Sequence, residues 1–193
     1  MALLVTALAI GLIGTFAIQT WARDGIGVNG SIDKKPAPAL ADGTWLNGEK
    51  TSLAAHQGKV VVLTFWTFGC INCKRTLPFW NAWAKEYAES KDVTVLSVHT
   101  PELAFERNPE NVREFLRKEG IRFPVLLDND YRSWNTYGVR VWPTTILIDK
   151  KGFIRGWWEG ELDFKRSGEF KKVKNGIEML RRENYELMLR REG

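Results

Sequence analysis

The sequence predicts an α/β domain, a mixed sheet flanked by helices, preceded by an N-terminal transmembrane helix. Three observations carry this. Short β-branched runs alternate with helix-type segments from residue 59 to residue 149. A "KKG" turn then joins the last run to a further strand-like segment, "FIRGWWEG", as in a hairpin. The first 22 residues, "MALLVTALAIGLIGTFAIQTWA", carry no charged side chain.

In chain order, residues 2–21 match the roughly 20 helical residues that cross a hydrocarbon core of about 30 Å. Trp21 stands where an interfacial aromatic belongs. No basic residue precedes the apolar run and no small-x-small site follows it, which favours an anchor (1–22) over a cleaved signal peptide. Residues 23–40, rich in Gly, Pro and Asp, are expected to be an exposed tether, with the domain beginning near Ala41. "KVVVLTFW" (59–66) is a buried strand, a helix is expected over 70–90, and "DVTVLSVH" (92–99) is the next strand. Asn108 caps a helix that has Pro109 in its first turn and Gly120 at its end. "FPVLLD" (123–128) and "TTILID" (144–149) are strands, with a short helix or turn over 128–138 between them.

Residues 164–193 form a C-terminal basic amphipathic helix in this reading. Phe170, Val173, Ile177, Leu180 and Leu187 share one face. Residues 165–193 hold nine Lys or Arg against five acids, most of the net charge of +5. We take this as the solvated outer face of a helix packed on the sheet, with lipid or an acidic partner as the alternative. No nucleic-acid partner is expected. With 44% hydrophobic and 26% charged residues, the chain suits a packed core rather than a disordered one.

Chemistry concentrates in "FWTFGCINCKRTLPFW" (65–80), which holds both cysteines of the chain, Cys70 and Cys73. The pair follows a strand and opens a helix, whose partial positive N-terminal charge favours a thiolate. Lys74 and Arg75 add to that charge. Cys70 is then the exposed nucleophile and Cys73, one turn inward, the resolving thiol of a redox-active Cys70–Cys73 disulfide. A structural disulfide across so short a loop removes little unfolded-state entropy. Zinc needs four ligands and the pair supplies two. Lys74 follows the pair where haem attachment requires histidine. No metal and no cofactor are expected.

The segment "VVVLTFWTFGCINCKRTLPFW" resembles the active-site region of the thioredoxin superfamily, and "GVRVWPTTILIDKKGFIRG" its proline loop and last hairpin. With "VHTPELAFERNPENV" and "LDNDYRSWNTYGVRVWPTTILID", residues 41–163 resemble the thioredoxin-like domains of the TlpA/DipZ group. The resemblance implies a thioredoxin-like fold and a kinking proline at Pro78. It further implies a cis-proline at Pro143 facing the dithiol, and substrate binding by Trp142, Pro143 and Thr144. Its activity would be thiol–disulfide exchange on extracytoplasmic protein disulfides, as a reductase of the kind that serves cytochrome c maturation. Its partners would be protein thiol or disulfide substrates, a membrane dithiol electron donor and, through the N-terminal helix, membrane lipid. The domain would face the periplasm, although Arg23, Lys34 and Lys35 argue weakly for the cytoplasm.

The sequence departs from that pattern at Gly69, where thioredoxins carry Trp, and at Thr64 and Thr76, where relatives carry acids. Glu102, Lys74 and water are the remaining candidates for a general base. Two alternatives stand beside the exchange reading. One is a thiol peroxidase, since Thr67-x-x-Cys70 echoes the peroxiredoxin pattern. The other is a copper carrier using Cys70, Cys73 and His99. For His99 itself the plain alternative is a structural histidine.

Overall fold

Val60–Trp66 form strand β2, and all seven residues are buried. A strand covered on both faces needs no polar alternation, which is why the run is almost wholly apolar. The computed structural model describes residues 35–183. Around β2 lie β1 (Trp45–Leu46), β3 (Val93–His99), β4 (Val125–Leu127), β5 (Thr144–Ile148) and β6 (Ile154–Glu159). The sheet order is β1-β4-β3-β2-β5-β6. Strands β2, β3 and β4 run parallel, whereas β1, β5 and β6 join through antiparallel pairs, so the sheet is mixed as predicted.

Alternate residues of β2 enter opposite cores. Val60, Val62 and Trp66 face the helices α1 (Ile71–Glu86), α2 (Pro109–Lys118) and α4 (Glu169–Arg182) through Trp80, Leu116 and Ile177. Val61, Leu63 and Phe65 pack with Trp134 and Tyr137 of α3 (Arg132–Tyr137). Asn108 caps α2 by accepting the Glu110 N–H at 2.9 Å, and Gly120, at φ 64°, follows its end. Pro78 lies inside α1, as expected.

The tail helix docks through Val173, Ile177 and Leu180, each fully buried. Such burial contributes about 1.5–3 kcal/mol per side chain. Phe170 stacks on Phe79 at 4.6 Å. Its outward charges pair with neighbours, as in Arg181–Asp92 at 2.9 Å and Lys172–Glu169 at 2.8 Å, which agrees with a solvated face. Within the described residues the regular helix covers Glu169–Arg182, and Leu187 lies outside them.

Residues 35–40, the described end of the expected tether, bond to the domain. The Ile154 N–H donates to Lys35 O and the Ala37 N–H to Gly152 O, while the Tyr137 hydroxyl donates to Pro38 O. The physical reason is an open hairpin edge: the extended "KPAP" segment satisfies backbone groups there. The expected anchor, residues 1–22, lies outside the described residues. Among the described residues no helix is long and apolar enough to cross a membrane.

Candidate active site

Strand β2 ends at Trp66, and residues 67–69 carry the chain across to Cys70, the N-cap of α1. Both cysteines are free thiols, Cys70 half-buried and Cys73 buried. Burial pushes the Cys73 thiol well above the ordinary thiol range, opposed in part by the Thr67 N–H. One thiol is therefore reachable and one is sequestered behind it, as the positions at a helix start suggest.

The Trp142–Pro143 bond is cis. It brings the Trp142 carbonyl to 3.9 Å from Cys70 Sγ. The Trp142 indole is held away from that contact: its Nε1 donates to Thr100 O at 3.0 Å and its ring lies 4.3 Å from that of Trp134. Pro143 O accepts from the Gly160 N–H at 2.7 Å. Thr144 is fully buried, and its hydroxyl donates to Val141 O at 2.9 Å. The structure thus brings the Trp142 carbonyl, bonded to Pro143, to the dithiol, while the Thr144 side chain is buried in a strand covered on both faces.

His99 ends β3, fully buried, between the rings of Phe68 at 5.6 Å and Trp66 at 5.2 Å. Burial pushes its pKa down to about 4, opposed by the nearby charge of Glu106. Its Nε2 lies 3.4 Å from the Thr67 hydroxyl, while Nδ1 has no partner among the described residues. Among the described residues no group of three or more His, Cys, Asp or Glu is placed to hold a metal ion.

The carboxylate of this site is one that sequence reasoning passed over. Glu106, fully buried, accepts hydrogen bonds from the Thr67 hydroxyl, the Gly69 N–H at 2.5 Å, the Glu102 N–H at 2.8 Å and the Leu103 N–H at 2.6 Å. It belongs to the 3-10 turn Ala104–Arg107 that follows β3. One signal in "TPELAFER" points to it: an acid three residues past the turn's opening residue can reach back to the backbone N–H there. Of the bases considered instead, Glu102 is exposed and its charge opposes ionisation of Cys73. The Lys74 ammonium lies over the Phe115 ring at 6.0 Å. Thr76 accepts from the Leu162 N–H at 3.4 Å, and the Thr64 hydroxyl has no partner among the described residues.

Residues 34–156 match the AhpC/TSA family. The chain belongs to this family. Protein DipZ of Mycobacterium tuberculosis is 43% identical over 123 residues, which cover 62% of this chain and 18% of DipZ. The chain therefore spans under a fifth of that relative's length. Thioredoxin-like protein YneN of Bacillus subtilis is 31% identical over 146 residues, covering 76% of this chain and 81% of YneN. A crystal structure of a thiol-disulfide isomerase from Corynebacterium glutamicum superposes with a TM-score of 0.64 at 26% identity, over 77% of this chain and 98% of that one. The AhpC/TSA chain is thus a thioredoxin-fold protein of the oxidoreductase superfamily, with a redox-type pair of cysteines two residues apart.

Proposed function

We propose that the protein is a thiol–disulfide oxidoreductase in which Cys70 attacks and Cys73 resolves. The observation that carries this is the half-buried Cys70 Sγ beside the Trp142 carbonyl, with the buried Cys73 one turn behind. The Cys70 thiolate attacks one sulfur of a substrate disulfide, forming a mixed disulfide and releasing the other sulfur as a thiolate. Cys73 gives up its proton and attacks Cys70 Sγ. The Cys70–Cys73 bond forms, the second substrate thiol leaves, and two electrons have passed to the substrate. The Trp142 and Pro143 backbone would align an extended substrate chain. The likeness to DipZ supports a place in the TlpA/DipZ group, and the uncharged first 22 residues support a membrane anchor. In that setting the domain acts outside the cytoplasm as a reductase for exported proteins, such as cytochrome c precursors. A membrane dithiol carrier recharges it.

A thiol peroxidase is the second reading, and membership of the AhpC/TSA family supports it more directly than it supports the cytochrome c role. Here the Cys70 thiolate attacks the peroxide O–O bond to give a sulfenic acid and water or an alcohol. Cys73 then condenses with the sulfenic acid, releasing water. Both routes end at the same disulfide and differ in the oxidant. The deciding experiment follows oxidation of the reduced full chain by a peptide disulfide and by hydrogen peroxide, with Cys70→Ser as control. Faster turnover of the peptide, with a potential near the roughly −270 mV of thioredoxin, supports the reductase. A potential toward about −120 mV makes the protein an oxidant. Preference for peroxide transfers the assignment to the peroxidase.

A further inference from the structure

We propose that Glu106 is the positioning residue of this site. Its buried carboxylate clamps the loop that presents Cys70 to the turn that displays Leu103 and Phe105, so that both are held as one face for polypeptide disulfides flanked by apolar side chains. The inference rests on the exchange reading and names its substrate class.

The geometry of the clamp is specific. Glu106 Oε1 serves the loop after β2, accepting from the Thr67 hydroxyl and the Gly69 N–H. Oε2 serves the turn after β3, accepting from the Glu102 and Leu103 N–H groups. Two donors on each oxygen fill the four lone-pair positions of a carboxylate. Among the described residues no Lys or Arg pairs with it, so its burial is compensated by these four donors. A side chain whose two oxygens bond two separate segments fixes the distance between them.

Gly69 shows how close the approach is. A Cβ at this position would lie 2.8 Å from Glu106 Oε1 and 3.2 Å from Cδ. The residue before the nucleophile therefore has no side chain, because the carboxylate occupies that space. Four large apolar side chains open to solvent lie on the segments that meet at the site: Ile71 (58% exposed) follows Cys70, Val141 (39%) precedes Trp142, and Leu103 (48%) and Phe105 (52%) precede Glu106 on its own turn. The Phe105 ring also meets that of Phe68, two residues before Cys70, at 5.5 Å. Exposed apolar residues on both clamped segments, joined by the Phe105–Phe68 ring contact two residues before Cys70, fit a chain with apolar residues beside its disulfide. They offer little to a small, charged disulfide.

The test compares the native full chain with Glu106→Gln on two oxidants: a peptide disulfide flanked by Leu and Phe, and glutathione disulfide. Glutamine keeps the volume but turns an NH2 group toward N–H donors. Misplacement of this kind is expected to lower kcat/KM for the peptide about tenfold, chiefly through KM. The loss with glutathione disulfide should be at least about threefold smaller, a selectivity that a general loss of structure would not show. Gly69→Ala, whose Cβ would take the space of the carboxylate, should reproduce the selective loss. That variant keeps the question answerable if Glu106→Gln does not fold. Equal losses on both oxidants, no loss on the peptide, or a harmless Gly69→Ala would each overturn the proposal. A native chain inactive on both oxidants would retire the exchange reading instead. The clamp then still predicts an upfield shift of the Gly69 amide proton in Glu106→Gln, and an unmoved resonance refutes it.

Discussion

Replacing Thr67 with valine keeps the shape of the side chain and removes one hydroxyl, and the structure fixes what that hydroxyl does. It donates to Glu106 Oε1 and lies 3.4 Å from His99 Nε2. A hydrogen bond to a buried carboxylate contributes about 1.5–3 kcal/mol. The long contact to His99 adds up to about 1 kcal/mol, since its loss leaves a buried ring nitrogen without a partner. The sum is a destabilisation of about 1.5–4 kcal/mol. For a domain of this size each kcal/mol lowers Tm by about 2–4 °C, so a fall of about 5–11 °C is expected for the middle of that range. The Thr67 backbone N–H that faces Cys73 is retained, so the buried thiol keeps its surroundings. Urea unfolding of reduced protein, with fluorescence as the probe, measures the change. A loss below about 0.5 kcal/mol, accompanied by slower peroxide consumption, would refute the reasoning, because the hydroxyl would then serve Cys70 rather than Glu106.

Three further outcomes follow from buried groups. His99 is held near pKa 4, below the roughly 6.5 of an unfolded chain. The unfolded state therefore takes up its proton first, and stability contributed by neutral His99 is lost as pH falls from about 6.5 to 4, by up to about 3 kcal/mol. Unfolding curves across that range should show this slope, and His99→Gln should flatten it. Cys73, held protonated by burial, should resist iodoacetamide at pH 8 in folded Cys70→Ser and react once the protein is unfolded, as read by mass spectrometry. Arg155 pairs with the buried Asp149 at 2.9 Å and with Glu183 at 2.9 Å. Arg155→Met should cost about 2–4 kcal/mol, because Asp149 remains buried without its cation, and chemical denaturation measures it.

Local signals made most of the architecture legible. The all-apolar run of β2, the Asn108–Pro109 start and Gly120 end of α2, and the hairpin turn before β6 each act within a few residues, so their physics is written in the adjacent sequence. The dithiol was legible for the same reason: two cysteines between a strand and a helix have few other uses. Elements that depend on distant partners were not. Strand β1 has two residues and exists through its pairing with β4. Residues 35–40 read as tether because what they satisfy, the edge of the β5–β6 hairpin, lies more than a hundred residues away in sequence. The Thr144 side chain is buried in the core, which its place after Pro143 does not announce. Glu106 stands 37 residues from the Gly69 amide it accepts, and no local pattern ties the two together.

The same separation joins what the sequence presents as unrelated departures. Thr64 and Thr76 stand where the thioredoxin resemblance leads one to expect acids, and Gly69 where it leads one to expect tryptophan. Both threonines are fully buried, in surroundings that supply at most one hydrogen bond each. A carboxylate at either place would lack the donors that make burial of a charge tolerable. Glu106 arrives from the turn after β3 with four donors, two of them from the loop beside Cys70, and it needs an empty position 69 to reach them. A side chain at 69 would expel the carboxylate, and without the carboxylate the 67–69 loop would lose two of its hydrogen bonds. Gly69 and Glu106 therefore depend on each other. The buried acid near this dithiol comes from the turn after β3, where the backbone can hold it.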